Sequence, residues 1–379
     1  MRFIALKLGL ILQTTRILST SNFFVSGERK LSVIMEQNNA LSHLKSLKAP
    51  VKIGTHDGTF HCDEALGCHL LKILRPDAEI HRSRDQSILD TCDVVIDVGG
   101  VFDVKKLRFD HHQREFNESF GSLIGDPKWT IKLSSAGLVY TYFGKEILKK
   151  ILGNEADDQF IETVFLKIYE GFIQEVDGVD NGVPMFEGEP LYQITTGLSK
   201  RVHNFNKEWN DSDDFNEMEA FERAMELTGS EFKARVIKAW KVWWPARSIV
   251  INAINHRFKI HESGEIIELE QFCPWKEHLF ELEKELDISP SIKYVIFNSG
   301  SWRVQAVSVN SLSFVLRIAL PEEWRGLRDE ELSAKAGIKD CVFVHGSGFI
   351  GGNKNREGAL EMAVKALKIG KSRGDIKSS

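Results

Sequence analysis

The sequence predicts an α/β protein: a doubly wound, mostly parallel sheet followed by a second, smaller α/β domain. Three observations predict it. VKIGTH and DVVIDVGG are short, nearly continuous apolar runs, the pattern of strands buried on both faces. EALGCHLLKIL, between them, repeats its apolar residues at helical spacing and completes a β-α-β alternation. Strand-like and helical stretches then continue to the C-terminus.

Residues 1–27 carry Arg2, Lys7 and Arg16, no acid, and many Ser, Thr and large apolar residues, the composition of a mitochondrial presequence. A secretory signal is the rival, but Lys7 interrupts its apolar run and no small-x-small site follows closely. Met35 offers a second start, giving a form without the presequence for the cytosol or nucleus. Residues 1–46 are thus expected to be presequence and flexible lead-in, and 47–190 the doubly wound domain. Within that domain SSAGLVYTYFGKEILKKIL reads as a helix capped by Ser134 or Ser135. DDQFIETVFLKIYEGFIQEV reads as a second long helix running into DGVDNG. Residues 191–370 are expected to hold connecting helices and the second domain. There the charged stretch from Glu217 to Trp244 is helical and closed or kinked by Pro245. EIIELE, IKYVIFN, WRVQAVSV and CVFVH are strand-like, and REGALEMAVKALKIG is an amphipathic helix. Residues 371–379 are expected to be a disordered tail.

With 379 residues, 42% hydrophobic and 27% charged, the chain can build two cores. Its net charge of -5 means that a nucleic acid must be held by a local basic surface. Five scattered cysteines without a C-x-x-C pair speak for free thiols and against a zinc ribbon. No run reaches the roughly 18 apolar residues of a membrane span.

Of 12 histidines, His56, His61, His69, His81, His111 and His112 crowd between residues 56 and 112. Three segments put acid or imidazole directly behind a strand: GTHDGTFHCDEA, the Asp97 of DVVIDVGG, and LRFDHHQ. The carboxyl ends of parallel strands form the ligand crevice of an open sheet, so these groups can converge. A set of imidazoles and carboxylates without cysteine suits Mn²⁺ or a similar divalent ion, and a pair of ions needs a bridging carboxylate, for which Asp97 stands ready. Such a pair, about 3.5 to 4 Å apart, hydrolyses phosphoesters. His69 lies inside a helix and is left out of the site.

These motifs, in order, resemble those of the DHH phosphoesterase superfamily. GTHDGTFHCDEALG, VVIDVGG, LRFDHHQREF, KLSSAGLVY, EVDGVDNG, CPWKEHL, EEWRGLRDEEL and VHGSGFIGG more closely resemble the melanocyte proliferating gene family, metal-dependent 3'-5' exonucleases acting on RNA. The resemblance implies that His56 and His61 bind a first metal, Asp63, His111 and one aspartate of EVDGVDNG a second, and Asp97 both, with two Mn²⁺ expected and Mg²⁺ as the other candidate. Asp177 is favoured over Asp180. It also implies that His112 faces the substrate phosphate and that Asp110 orients a histidine. His61-Cys62-Asp63 departs from the superfamily's usual D-x-D.

Gly346, Gly348 and Gly351 form a G-x-G-x-x-G, but the strand and acid that a dinucleotide fold needs do not follow. The stretch suits a phosphate-holding backbone nest, with His345, Gly348, Gly351, Gly352, Lys354 and Arg356 as substrate residues. It resembles the superfamily's G-G-G-H loop, with Asn353 in place of the histidine. Trp240, Trp243 and Trp244 share a helix face, for packing or for stacking on single-stranded RNA. His81, Arg82 and Arg84, and Lys105, Lys106 and Arg108, are solvated edges or phosphate-steering groups. No mechanism follows for Arg325 and Arg328. The expected partner is RNA, with DNA as a further substrate. The rivals are a small-substrate phosphatase acting on pyrophosphate, nucleotide bisphosphates or short oligonucleotides, and a non-catalytic nucleic-acid-binding protein.

Overall fold

A computed structural model describes residues 29–153 and 156–375. The presequence expected at residues 1–27 and the tail residues 376–379 lie outside the described residues. The chain divides into two compact units, Met1–Ile237 and Lys238–Ser379, a later boundary than the one placed at 190.

Among the described residues the first unit begins with helix α1 over residues 29–46, where a flexible lead-in was expected. It buries Val33, Ala40 and Leu44, and Gln37 donates to the Thr141 carbonyl at 2.8 Å. Strands β1 (Lys52–Thr55), β2 (Glu79–Arg82), β3 (Val94–Ile96), β4 (Phe102–Asp103) and β5 (Arg108–Phe109) form one sheet in the order β2-β1-β3-β5-β4. β1 runs parallel to β2 and β3, and β3 to β5; β4 is antiparallel to β5. The mostly parallel sheet is therefore present. Because β2 lies on one side of β1 and β3 on the other, the strand order reverses at β1/β3, the position where open α/β sheets form their crevice.

The helices of this unit are α2 (Cys62–Leu74), α3 (Gln86–Leu89), α4 (Phe120–Ile124), α5 (Ser135–Leu152), α6 (Asp158–Ile168), α7 (Gln174–Asp180), α8 (Leu198–His203) and α9 (Glu217–Lys238). Ser134 caps α5, accepting from Gly137 N. The helix read as continuous after Asp157 is broken by π-helical Tyr169–Ile173, and α7 then carries DGVD inside a helix. α9 belongs to this unit: Phe221 meets Phe60 edge-on at 5.4 Å, and a Cβ on Gly229 would lie 2.1 Å from the His69 ring. That packing is why the boundary falls beyond 190.

The second unit has π-helical Ala239–Trp243, α10 (Trp244–Asn255), α11 (Arg257–Ile260), α12 (Lys276–Glu285), α13 (Asp329–Ala336) and α14 (Arg356–Arg373). α14 thus extends into the stretch read as disordered tail. Strands β6 (Ile266–Glu268), β7 (Tyr294–Asn298), β8 (Trp302–Ala306), β9 (Cys341–Val344) and β10 (Ile350–Asn353) are ordered β6-β7-β8-β10-β9. β6 and β7 are parallel and the remaining pairs antiparallel. One core joins the sheet to α13 and α14, another to α10 and α12. Pro245 falls in the first turn of α10, directly after π-helical Ala239–Trp243, and the helical run continues through it rather than closing there. Trp243 is buried, with its ring 4.2 Å from that of His278, and serves packing. Among the described residues no helix is long and apolar enough to cross a membrane.

Candidate metal centre

Each of the three parallel strands β1, β3 and β5 ends where a chemical group begins: His56 follows β1, Asp97 follows β3 and Asp110 follows β5. Neighbouring strands stand about 4.8 Å apart, so residues just past their ends meet. α2 starts at the same edge. His61 is its N-cap and Asp63 and Glu64 occupy its first turn, where the helix dipole favours carboxylates. Asp180, the last residue of α7, completes the group.

One ligand atom each from His56, His61, Glu64 and Asp97 lies within 4.8 Å of the others; the same holds for His61, Asp63 and Asp180, and for Asp97, His111 and His112. Asp97 joins the sets: its Oδ2 is 3.3 Å from His56 Nε2 and its Oδ1 3.3 Å from His111 Nε2. Ser135 Oγ donates to Oδ1 at 3.2 Å. The Asp97 backbone is left-handed, at φ 58°. His56 Nδ1 stands 3.0 Å from the Asp57 carbonyl and 3.1 Å from an Arg84 Nη, and its Nε2 is turned toward Glu64 and Asp97. His111 Nε2 lies 3.1 Å from Asp180 Oδ2 without the alignment of a hydrogen bond. Asp110 accepts from Gly100 N at 2.6 Å and holds His112 Nδ1 at 2.8 Å, so the histidine it orients is His112.

The donor set fits divalent cations. Both oxygens of Asp63, Glu64 Oε2 and both ring nitrogens of His111 are buried with no hydrogen-bond partner, an arrangement costly without a cation. Burial pushes Asp63 well above the usual carboxylate range, and the charges of Asp97, Asp180 and Glu64 push it further. Burial lowers the His56 imidazole, but hydrogen bonds to Asp97 and Glu64 outweigh it and raise its pKa to about 10. Burial likewise raises Asp97, yet the imidazoles of His111 and His56, each 3.3 Å from one of its oxygens, hold it below the usual range. The carboxylates of Asp63, Glu64, Asp97 and Asp180 gather negative charge that a bound divalent cation would offset.

A family model named MYG1_exonuc and described as "Uncharacterised protein family (UPF0160)" matches residues 52–367. The chain belongs to the MYG1 family. This is the melanocyte proliferating gene family that the motifs resemble, and the match runs through both units. The MYG1 protein of Dictyostelium discoideum is 52% identical over 322 residues, covering 83% of this chain and 96% of the relative. The MYG1 exonuclease of Homo sapiens is 50% identical over 327 residues, covering 85% and 87%. The MYG1 protein of Saccharomyces cerevisiae is 40% identical over 342 residues, covering 87% and 99%.

Two expectations for the MYG1 motifs need correction. Asp177 is not among the clustered ligands; Asp180 is. The Asp177 Oδ1 accepts from Ser134 N at 2.9 Å and Ser134 Oγ at 2.7 Å, and its Oδ2 accepts from Tyr169 OH at 3.0 Å. Burial lifts its pKa to about 7. The second correction concerns the glycine nest. Gly351 and Gly352 lie in β10, where the pleat turns them to opposite faces: a Cβ on Gly351 would meet Met362, and one on Gly352 would meet Arg303. Gly348 packs on Arg325. Arg356 is held by Glu268 in a bidentate pair, and Lys354 is exposed, 3.9 Å from Asp340. Asn353 is fully buried and donates to the Lys339 carbonyl at 2.8 Å. His345 is exposed and faces Ser347. These residues do not converge on one ligand.

Glu64 went unrecognised because a glutamate three residues past a helix cap reads as a capping residue, and here it also fills that role, accepting from His61 N at 2.7 Å. Arg82 was left between edge and steering group. It is instead a clamp, its guanidinium between the rings of Phe60 and Phe221 and donating to the carbonyls of His56 and Gly58.

Proposed function

We propose that the chain is an exonuclease that removes nucleotides from the 3' ends of RNA, with DNA as a further substrate, by two-metal phosphodiester hydrolysis. The orientation of Asp97 carries the proposal, because its two oxygens address separate ligand sets. His56, His61, Glu64 and Asp97 would hold one ion, and Asp63 and Asp180 the other with Asp97 and His111, since His111 Nε2 stands 3.1 Å from Asp180 and 3.3 Å from Asp97. Bound Mn²⁺, or Mg²⁺, would supply water activation and charge neutralisation at the phosphoryl group.

The chain's own residues do the rest. His112 is exposed, and its hydrogen bond to Asp110 is the leading cause that raises its pKa. With Nδ1 bonded to Asp110, Nε2 is free to donate to a phosphate oxygen as a positive group. Ser135 holds Asp97, and Arg82 holds the backbone of the His56–Gly58 turn. In the second unit, Arg303 and Arg328 stand 5.2 Å and 5.9 Å from the Phe343 ring with no carboxylate partner among the described residues. Arg303 packs directly over Gly352, where a Cβ would lie 2.6 Å from its Nη1, and with Arg328 it replaces the glycine nest as the cationic surface for a nucleic-acid backbone. The MYG1 exonucleases named among the relatives support the same reading. We also propose a mitochondrial destination, with a shorter form from Met35, tested by fractionating tagged chains with each start.

The test is an incubation with Mn²⁺ and RNA of tens of nucleotides bearing a free or blocked 3' end. Stepwise shortening from the free 3' end alone is expected. Hydrolysis confined to dinucleotides or pyrophosphate would make the chain a small-substrate phosphatase. No turnover would leave a binding protein.

A further inference from the structure

A cavity of about 440 Å³ opens in the second unit between residues 314–325, the turn before β10 and the C-terminal half of α14, a volume within the range of small-molecule sites. Phe314, Val315 and Ile369 give it apolar walls, and Arg325, Glu322 and Asp375 give it polar groups. Arg325, for which the sequence offered no role, is anchored. Its Nε donates to the Leu320 carbonyl at 3.0 Å, and Gly348, at φ +73°, packs so close that a Cβ there would lie 2.6 Å from that nitrogen. Its two Nη atoms have no partner among the described residues, which leaves the planar fork that matches phosphate or carboxylate. The other arginine lining the cavity, Arg373, is paired with Glu323 through both Nη atoms, at 3.0 and 3.1 Å. Phe314, at 100% exposure, offers an aromatic face.

We propose that this cavity binds a nucleoside 5'-monophosphate, with the phosphate on the Arg325 fork and the base against Phe314. The lining asks for an anionic head, a flat apolar body, and donors that Glu322 and Asp375 can accept. A nucleotide has all three. A fatty acid lacks the donors, and inorganic phosphate lacks the body. The site is separate from the Arg303–Phe343 surface, since α14 covers the sheet face that Gly351 shares and Arg303 stands on the face of Gly352. It therefore does not rest on the exonuclease reading, and its binding is measured without turnover.

The test is an equilibrium titration of the full chain, in chelator so that the Asp97 centre holds no ion, with AMP, adenosine, inorganic phosphate and a medium-chain fatty acid. Saturable AMP binding is expected, with adenosine and phosphate each at least about tenfold weaker. Arg325→Ala should weaken AMP binding by about tenfold or more and Phe314→Ala by several-fold, while Asp97→Asn leaves it unchanged. Phe314 is fully exposed, so its variant keeps the fold, and a melting curve checks Arg325→Ala. Absent AMP binding, binding insensitive to either of these two variants, loss of binding in Asp97→Asn, or tighter binding of the fatty acid would overturn the proposal.

Discussion

Asp177 and Asp180 stand three apart on α7, yet one holds the scaffold and the other faces the ligand cluster. Asp180→Asn should lower Mn²⁺ affinity by about ten- to a hundredfold with the melting temperature kept. Asp177→Ala should instead lower the unfolding free energy by about 1–3 kcal/mol, read from a denaturant midpoint, because it strands the Ser134 and Tyr169 donors. The reverse pair of results would restore Asp177 as the ligand. His56 gives a pH dependence of defined sign. Without an ion it keeps its proton up to about 10, and ligation must displace that proton. Mn²⁺ affinity, followed by titration calorimetry, should therefore rise between about pH 6 and 9, with proton release on binding. A flat profile would remove His56 from the ligand set. His56, Asp63, Asp97 and His111 were legible in the sequence because each follows a strand or opens a helix. Asp177 and Asp180 were not separable, since residues three apart share a helix face and only the tertiary partner Ser134 tells them apart.

The elements hold the site through a few close contacts. Gly137, in the first turn of α5, lies against Asp177, and a Cβ there would approach its Oδ1 to 2.2 Å. Gly137→Ala should push the start of α5, and with it Ser135, away from Asp97. Metal-dependent turnover should drop by about tenfold or more, a larger loss than a thermal melt would account for; unchanged turnover would show that Ser135 does not position Asp97. The β-α-β alternation was legible because β1 and β3 are apolar runs buried on both faces. The π-helical break at Tyr169–Ile173 was not, since it keeps helical periodicity while shifting which side chains face inward. β10 was hidden by its own glycines, which read as loop while lying in a ladder between β8 and β9.

At the scale of the molecule, a chain of net charge -5 must gather its nucleic acid on local cationic surfaces. Arg303→Ala and Arg328→Ala should each raise KM for RNA several-fold with little change in kcat, and reduce the salt dependence of binding by about one phosphate contact. A fall in kcat at constant KM would exclude that role. Composition could not say where the second unit begins, because α9 packs on the first unit through a contact, His69 to Gly229, that no periodicity reveals. The most direct measurement is the Mn²⁺ bound at equilibrium by the wild-type chain and by Asp97→Asn, a substitution that keeps the left-handed backbone, which asparagine tolerates. Two ions per chain are expected in the wild type, with at least one lost in the variant at an unchanged melting temperature. One ion or none in the wild type, or full occupancy in the variant, would contradict a shared centre built around Asp97.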